Sequence, residues 1–257
     1  MSTLGQIGQM ARRSILQTLR QPAMVIPPIV FPLLLVSINS AGLDAATKIP
    51  GFPADSYWDF AIAVPFIQGS LFAAINAGSS LARDVETGFI KRLAMTPMKR
   101  TALLAGQLIG SMVVAFVSAC VYLTAGFAAG MDFKSGALGV PAIIVLGVLI
   151  ALGFAALGAS IGLRSGSGEA VQGFFPLLFV LLFLSSVNLP RNLIEQDWFR
   201  TIATYNPVSY LVEGVRSLII TGWDGEALAL GFGLAAVIAT ISITLASGAL
   251  RTRLIRT

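Results

Sequence analysis

Residues 138–163 read LGVPAIIVLGVLIALGFAALGASIGL, a run with no charged side chain. A helix needs about 20 mostly apolar residues to cross a bilayer, so this run is long enough to span one. Five further runs have the same character, at residues 24–41, 60–82, 101–130, 171–187 and 227–250. The reading is an all-α polytopic membrane protein with six transmembrane helices. Whole-chain composition agrees. Of 257 residues, 56% are hydrophobic and 11% are charged, whereas soluble domains carry about 25% charged residues. Mean hydropathy is +0.84. Disorder and a soluble globular domain are both excluded on these grounds.

Charges between the runs set an orientation. With the N-terminus in the cytoplasm, the inner segments hold Arg12, Arg13 and Arg20, then Arg83, Lys91, Arg92, Lys99 and Arg100, then Arg164, then Arg251, Arg253 and Arg256. The outer segments hold Lys48, Lys134, Arg191, Arg200 and Arg216. Asp84, Glu86 and Glu169 are the inner acids. The Lys/Arg bias near span ends sets topology, so both termini are expected inside. This also accounts for the net charge of +5 without a nucleic-acid partner. No short apolar segment with a small-residue cleavage site follows the first arginines, so no cleavable signal peptide is expected.

Several chemistries fall away. There is no histidine and a single cysteine, Cys120, which excludes histidine relays, an intrachain disulfide and a cysteine metal cluster. No metal site is expected. No Gly-Lys dipeptide occurs, so the chain carries no phosphate-binding P-loop, and any ATP must be hydrolysed by another subunit. The spans lack charges at their middles, which argues against an ion-coupled transporter.

Three segments are not spans. Leu4, Ile7, Ala11, Ile15 and Leu19 form a helical stripe with Arg13 and Arg20 roughly opposite, the pattern of an interfacial helix over residues 1–21. Residues 83–100, RDVETGFIKRLAMTPMKR, are too polar to cross and too apolar for a plain linker. They read as a short cytoplasmic helix ending near Thr96-Pro97, able to dock in a partner's groove or simply solvated. Residues 188–226 contain a second helix signal. Asn206 suits an N-cap and Pro207 the first helical position. Glu213 and Arg216, three apart, can pair on its surface. It is expected to dip into the outer leaflet and return at Gly222.

Within the spans, Gln68, Phe72 and Asn76 share a face, extended by Ser79 and Ser80. They could hydrogen-bond between helices or wall a path. Phe175, Phe179 and Phe183 share a face of the fifth run, either for packing or for contact with an apolar cargo. Pro27, Pro28 and Pro32 kink the first run, which a membrane tolerates when neighbours or water satisfy the freed carbonyls. Gly147, Ala151, Ala155, Gly158, Ala159 and Gly162 permit close helix packing.

These segments, over essentially the whole chain, resemble the permease subunit of type-2 ABC exporters, in particular the daunorubicin-resistance-like multidrug efflux branch. Residues 86–100, ETGFIKRLAMTPMKR, are similar to that family's E-x-G-x-x-x-R-L-x-x-T-P-x-x-R signature. The segment NPVSY at 206–210, with Glu213 and Arg216 after it, supports the likeness. The resemblance implies a single permease domain over residues 1–257. It implies that Glu86, Gly88, Arg92, Leu93, Thr96, Pro97 and Arg100 couple to an ABC ATP-binding subunit, with ATP and Mg held there and no cofactor here. It further implies a second permease copy or paralogue, alternating access, and placement in the bacterial cytoplasmic (inner) membrane. The cargo would be a hydrophobic or amphipathic drug or lipid, taken from the cytoplasm or the inner leaflet. Gln68, Phe72, Asn76, Phe175, Phe179 and Phe183 are then candidates for its path, and Asn206, Pro207, Tyr210, Glu213 and Arg216 for the outer re-entrant segment. Export of a polysaccharide or lipid-linked glycan by the same fold, and a non-transporting scaffold, are the alternatives.

Overall fold

In the computed structural model, which describes residues 2–96 and 99–255, every regular element is a helix among the described residues. In chain order these are α1 (Thr3–Leu19), α2 (Pro22–Leu43), α3 (Tyr57–Ala61), α4 (Val64–Glu86), α5 (Phe89–Ala94), α6 (Arg100–Ala128), α7 (Gly139–Ser165), α8 (Gly168–Phe183), α9 (Asp197–Tyr205), α10 (Pro207–Ile220) and α11 (Gly225–Ile255). Short 3-10 turns lie at Asp44–Lys48 and Arg191–Leu193.

The polytopic α-helical architecture expected from the sequence is present. Five helical stretches are long and apolar enough to cross a membrane: Pro22–Lys48, Tyr57–Glu86, Thr101–Ala128, Gly139–Ser165 and Gly225–Leu254. The remaining run differs from expectation. Its helix, α8, starts earlier and stops at Phe183, 16 residues in all. At about 1.5 Å per residue that is roughly 24 Å, short of the roughly 30 Å hydrocarbon layer. The chain beyond it, up to residue 188, is a turn whose backbone is held by side chains from elsewhere. The 188–226 segment resolves into two helices, α9 and α10, and not one. Gly222, with φ +93°, turns the chain after α10, and its N–H closes on the Ser217 carbonyl at 2.7 Å.

The scaffold is the pair α4 and α7. Their backbones touch where both carry small residues. A Cβ added at Gly158 would lie 1.8 Å from the Ala74 carbonyl oxygen, and one at Gly162 would lie 2.1 Å from that of Gly78. This is the small-residue packing of membrane helices, and it explains the glycine and alanine richness of residues 147–162. The opposite side of α7 carries α11. Around this pair the buried side chains form two clusters. One gathers at the end that the charge bias leads one to expect outside, the outer end, around Tyr57, Phe60, Ile62, Leu211 and Val215. The other gathers at the inner end around Leu81, Ile90, Leu103, Leu163 and Leu250.

α1 lies along α6, packing through Ala11 of the apolar stripe and through Ser14 beside it. Ala11 and Ser14 are the buried positions, seated on Gly106 and Gly110, where an added Cβ would meet Met10 at 2.3 Å and Ser14 at 2.1 Å. Leu4 and Leu19 face outward, 80% and 58% exposed. Exposed leucines on one side are what a helix lying in the membrane interface would bury in the headgroup region.

Candidate functional site: the inner corner and the polar wall of the bundle

The inner corner is built from the end of α4, the short α5 and one face of α1. α4 runs to Glu86 and is capped by the Thr87 backbone N–H on the Arg83 carbonyl at 2.9 Å. Gly88 then takes the left-handed conformation, φ +68°, which an L side chain adopts only at a cost, and the chain re-enters a helix at Phe89. Asp84, almost fully buried, accepts two hydrogen bonds from the Arg13 guanidinium, at 2.6 and 2.9 Å. The same guanidinium lies 4.1 Å over the Phe89 ring. Hydrogen bonding by the Asp84 carboxylate raises the Arg13 pKa above its ordinary value against the opposing effect of burial. The far end of the segment is tied back as well, by the Lys99 N–H on Gln6 Oε1 at 3.0 Å. α1 thus grips both ends of the α5 segment.

The side chains carried by the motif fall into two groups. Ile90 is buried, and Leu93 packs on the inner apolar cluster of its own chain; it does not stand free as an anchor. Glu86, Arg92 and Thr96 are exposed, and neither Glu86 nor Arg92 belongs to an ion pair among the described residues. Thr96 closes the segment with its hydroxyl on the Leu93 carbonyl at 2.7 Å. Pro97 lies outside the described residues, and of Arg100 only the backbone, at the start of α6, is described. Met95, one of the apolar residues that set this segment apart from a plain linker, is exposed at 89%. The Arg13–Asp84 link was also missed, because 71 residues separate its partners and no local pattern joins them.

The face predicted on α4 divides. Gln68 is buried and borders an outward cavity of about 240 Å³ together with Val36, Asn39, Tyr57, Phe183 and Asn188. Its Oε1 has no hydrogen-bond partner among the described residues. Phe72 joins an aromatic ladder. It meets Phe31 of α2 edge-on at 6.1 Å and Phe175 at 5.5 Å, and the ladder continues to Phe179 at 4.6 Å and Phe183 at 6.0 Å. The structure therefore brings Phe72, Phe175, Phe179 and Phe183 together, with Gln68 at the upper end. Asn76 is not part of that wall. Its Nδ2 donates to the Met24 carbonyl at 2.9 Å.

That bond has a definite cause. Pro28 has no N–H, so the carbonyl four residues earlier, that of Met24, loses its helical donor. Pro32 likewise frees the Pro28 carbonyl, and the Tyr122 hydroxyl donates to it. Two side chains, one from α4 and one from α6, replace two of the three donors that Pro27, Pro28 and Pro32 remove.

At the outer end the sequence reading of α10 holds in part. Asn206 caps the helix through Oδ1, which accepts from the Val208 N–H at 2.9 Å, and its Nδ2 donates to the Leu181 carbonyl at 2.6 Å. Pro207 is the first helical residue. The expected Glu213–Arg216 pair does not form. Glu213 pairs with Arg191 and accepts from the Ser186 hydroxyl at 2.7 Å. Tyr210 lies beneath the Arg191 guanidinium, 4.7 Å away, and donates to the Thr204 carbonyl at 2.8 Å. Arg216, 6% exposed, points the other way and donates to three backbone carbonyls, Phe60 and Ser186 at 3.0 Å and Val187 at 3.1 Å. It also stacks 3.5 Å over the Phe60 ring. An irregular turn follows α8, its carbonyls lack helical donors, and the guanidinium supplies them.

A transport subunit of an ABC exporter fits this plan, and the family comparison decides it: residues 5–220 match the model of the ABC-2 type transporter membrane domain. The chain belongs to the ABC-2 type transporter family. It is 27% identical over 229 residues to the daunorubicin resistance ABC transporter permease protein DrrB1 of Streptomyces coeruleorubidus, covering 86% of this chain and 77% of that one. A protein of Pyropia yezoensis whose name describes it as a transport permease, ycf38, is 28% identical over 220 residues, 84% of this chain and 75% of its own. A Mycobacterium tuberculosis protein named as a doxorubicin resistance ABC transporter permease, DrrC, is 25% identical over 156 residues, 61% of this chain and 55% of its own. The chain is thus a multi-pass membrane permease of the ABC-2 type, and members of this family work with an ATP-binding subunit.

Proposed function

We propose that this chain is the permease subunit of an ATP-driven exporter that moves hydrophobic or amphipathic compounds, drugs or lipids, outward by alternating access. ATP and Mg belong to a separate ABC ATP-binding subunit. That subunit docks on the corner formed by residues 86–100, where Glu86, Gly88, Arg92, Leu93, Thr96, Pro97 and Arg100 make the coupling segment. A second permease, a copy or a paralogue, completes the path. Both termini face the cytoplasm of a bacterial cell, with the chain in the cytoplasmic membrane.

The observation that carries the coupling role is the build of the inner corner. α5 is clamped to the spans through Arg13–Asp84, Phe89 and Ile90, yet it leaves Glu86, Arg92, Met95 and Thr96 outward. A clamped helix moves with the spans, so a push on its exposed face is transmitted to α4 and α1. The cargo reading is supported by the aromatic ladder from Phe31 through Phe72 to Phe183 and by the cavity beside Gln68. Such a wall offers apolar contact with a few polar groups, the usual character of a site for an amphipathic small molecule.

Glu86→Lys tests the coupling role. The expected outcome is normal membrane insertion and thermal stability, with loss of ATP-driven efflux of a hydrophobic dye or loss of the co-purifying ATP-binding subunit. Wild-type efflux by that variant would overturn the assignment.

A further inference from the structure

The inner end of the bundle carries a groove that shares only Ile90 and Lys91 with the coupling segment. It lies between the end of α4 with α5, the C-terminus of α7 and the C-terminal turns of α11, and encloses about 450 Å³. Its floor is apolar, with Val85, Ile90, Leu163 and Ala249. Its polar lining is Lys91, Arg164, Thr252 and Arg253, with no acid among the lining residues.

The cations are arranged and not merely near one another. Arg253 is fixed by donating Nε to the Leu163 carbonyl at 2.7 Å and Nη2 to the Arg164 carbonyl at 2.8 Å. These are carbonyls of the last turn of α7, so the partial negative charge of that helix end is already answered. The approach is close because residue 166 is glycine. It has φ +67°, and an added Cβ would lie 3.0 Å from Arg253 Nη2 and 3.1 Å from Val85. Lys91 and Arg164 are exposed at the groove and belong to no ion pair among the described residues.

We infer that this groove, in which Lys91, Arg164 and Arg253 meet over an apolar floor at the inner ends of α4, α7 and α11, binds the headgroup of an anionic phospholipid. The span ends put the cations at the depth of the lipid phosphates, and basic pockets between membrane helices on the cytoplasmic side take such headgroups. The apolar floor suits the first methylenes of the acyl chains. A protein ligand would meet three cations with no counter-charge in the lining, whereas an anionic lipid supplies that charge from the membrane in which the groove is immersed.

The test uses the full-length chain, delipidated in detergent and then offered nanodiscs of equal phosphatidylglycerol and phosphatidylcholine, with retained lipid counted by native mass spectrometry. The expected result is phosphatidylglycerol retained over phosphatidylcholine, and a fall of about twenty-five-fold in that preference in Lys91→Gln/Arg164→Gln, since each cation beside an anionic surface contributes about fivefold. The outer-face control Lys48→Gln/Lys134→Gln should keep the preference. A second readout covers a misfolded double variant. Thr252→Cys in a Cys120→Ala background should be labelled by maleimide more slowly in phosphatidylglycerol vesicles than in phosphatidylcholine vesicles. Equal retention of the two lipids, equal labelling in the two vesicles, or the same loss in the outer-face control would overturn the inference. So would release of the lipid by millimolar inorganic phosphate, which marks a free-phosphate site, or cross-linking of the introduced thiol to a protein subunit, which marks a protein-docking groove. None of these outcomes depends on whether residues 86–100 couple to an ATP-binding subunit.

Discussion

The α10 region and the α5 corner, at opposite ends of the bundle, treat charge in opposite ways. Around α10 the buried polar groups are answered within the chain, while exposed charges of the same end, such as Lys48, Asp55, Lys134 and Glu226, stand outside any ion pair among the described residues. Arg216 takes three carbonyls, Glu213 takes Arg191 and Ser186, Asn206 caps α10 and binds Leu181, and Tyr57 donates to the Asn188 carbonyl at 3.0 Å. At the inner end one ion pair, Arg13–Asp84, holds the corner together, and Glu86, Lys91, Arg92 and Arg164 are left outside any ion pair among the described residues. Unanswered charge near a membrane surface is compatible with stability only because water, lipid or a partner can reach it. The buried α10 region is therefore built as a closed, self-satisfied cap. The inner end is built as a surface that other molecules complete.

Removing Arg216 should be the most damaging way to break this contrast. Arg216→Ala leaves three buried or half-buried carbonyls without donors and a hole over the Phe60 ring. Hydrogen bonds to a charged group are worth about 1.5–3 kcal/mol each, and the bonds here share one side chain, so a loss of about 3–5 kcal/mol is expected. Thermal unfolding in mild detergent should show a larger fall in Tm than truncation of either partner of the inner clamp. Arg216→Lys should recover only part of the loss, because an ammonium cannot fork to three acceptors. An Arg216→Ala protein as stable as wild type would mean that the outer cap does not depend on this side chain.

The inner clamp should matter less. Arg13 is one-third exposed while Asp84 is almost fully buried. A double-mutant cycle of Arg13→Ala and Asp84→Ala is expected to give a coupling of about 1–2 kcal/mol, above the usual surface pair because the bond is bidentate. Its location is as informative as its size. Proteolysis or hydrogen exchange should show α1 and α5 loosening while α10 stays protected. Equal loosening at both ends would show that the ends are not independent, and the contrast between them would fail.

How far the sequence foretold this depends on the range of each interaction. The apolar runs are contiguous, so the membrane helices were legible, and so was the Asn206-Pro207 helix start, whose signal spans two residues. α8 was misjudged because hydropathy does not report where a helix stops; residues 184–187 are apolar enough, yet they turn. The Glu213–Arg216 spacing suggested a surface pair, but α10 is buried on most sides, and a buried guanidinium seeks carbonyls wherever the fold brings them. Here one of them, on Phe60, is 156 residues away in the chain. Backbone carbonyls carry no signature in a sequence, so such a partner cannot be read there. Of the coupling motif, the pattern was legible. Which side chains face outward was not: Leu93 turned inward and Met95 outward because the clamp through Asp84 and Ile90 sets the roll of α5.

The smallest expected effect lies between the two ends, in α2. The prolines announced freed carbonyls, and only the donors were missing from the sequence; they are Asn76 and Tyr122. A hydrogen bond between membrane helices is worth about 0.6 kcal/mol on average, so Asn76→Ala and Tyr122→Phe should each cost little in stability. Their consequence should appear in α2 alone. With Met24 and Pro28 carbonyls unanswered, water or a shift of the helix must satisfy them, and α2 should exchange amide hydrogens faster than α7 beside it. The double variant should be worse than the sum of the two if both donors hold one kinked shape, and additive if each merely pairs with its own carbonyl. An Asn76→Ala protein that keeps slow exchange in α2 but loses dye efflux would return Asn76 to the cargo path, and would show that its bond to Met24 is incidental to its role.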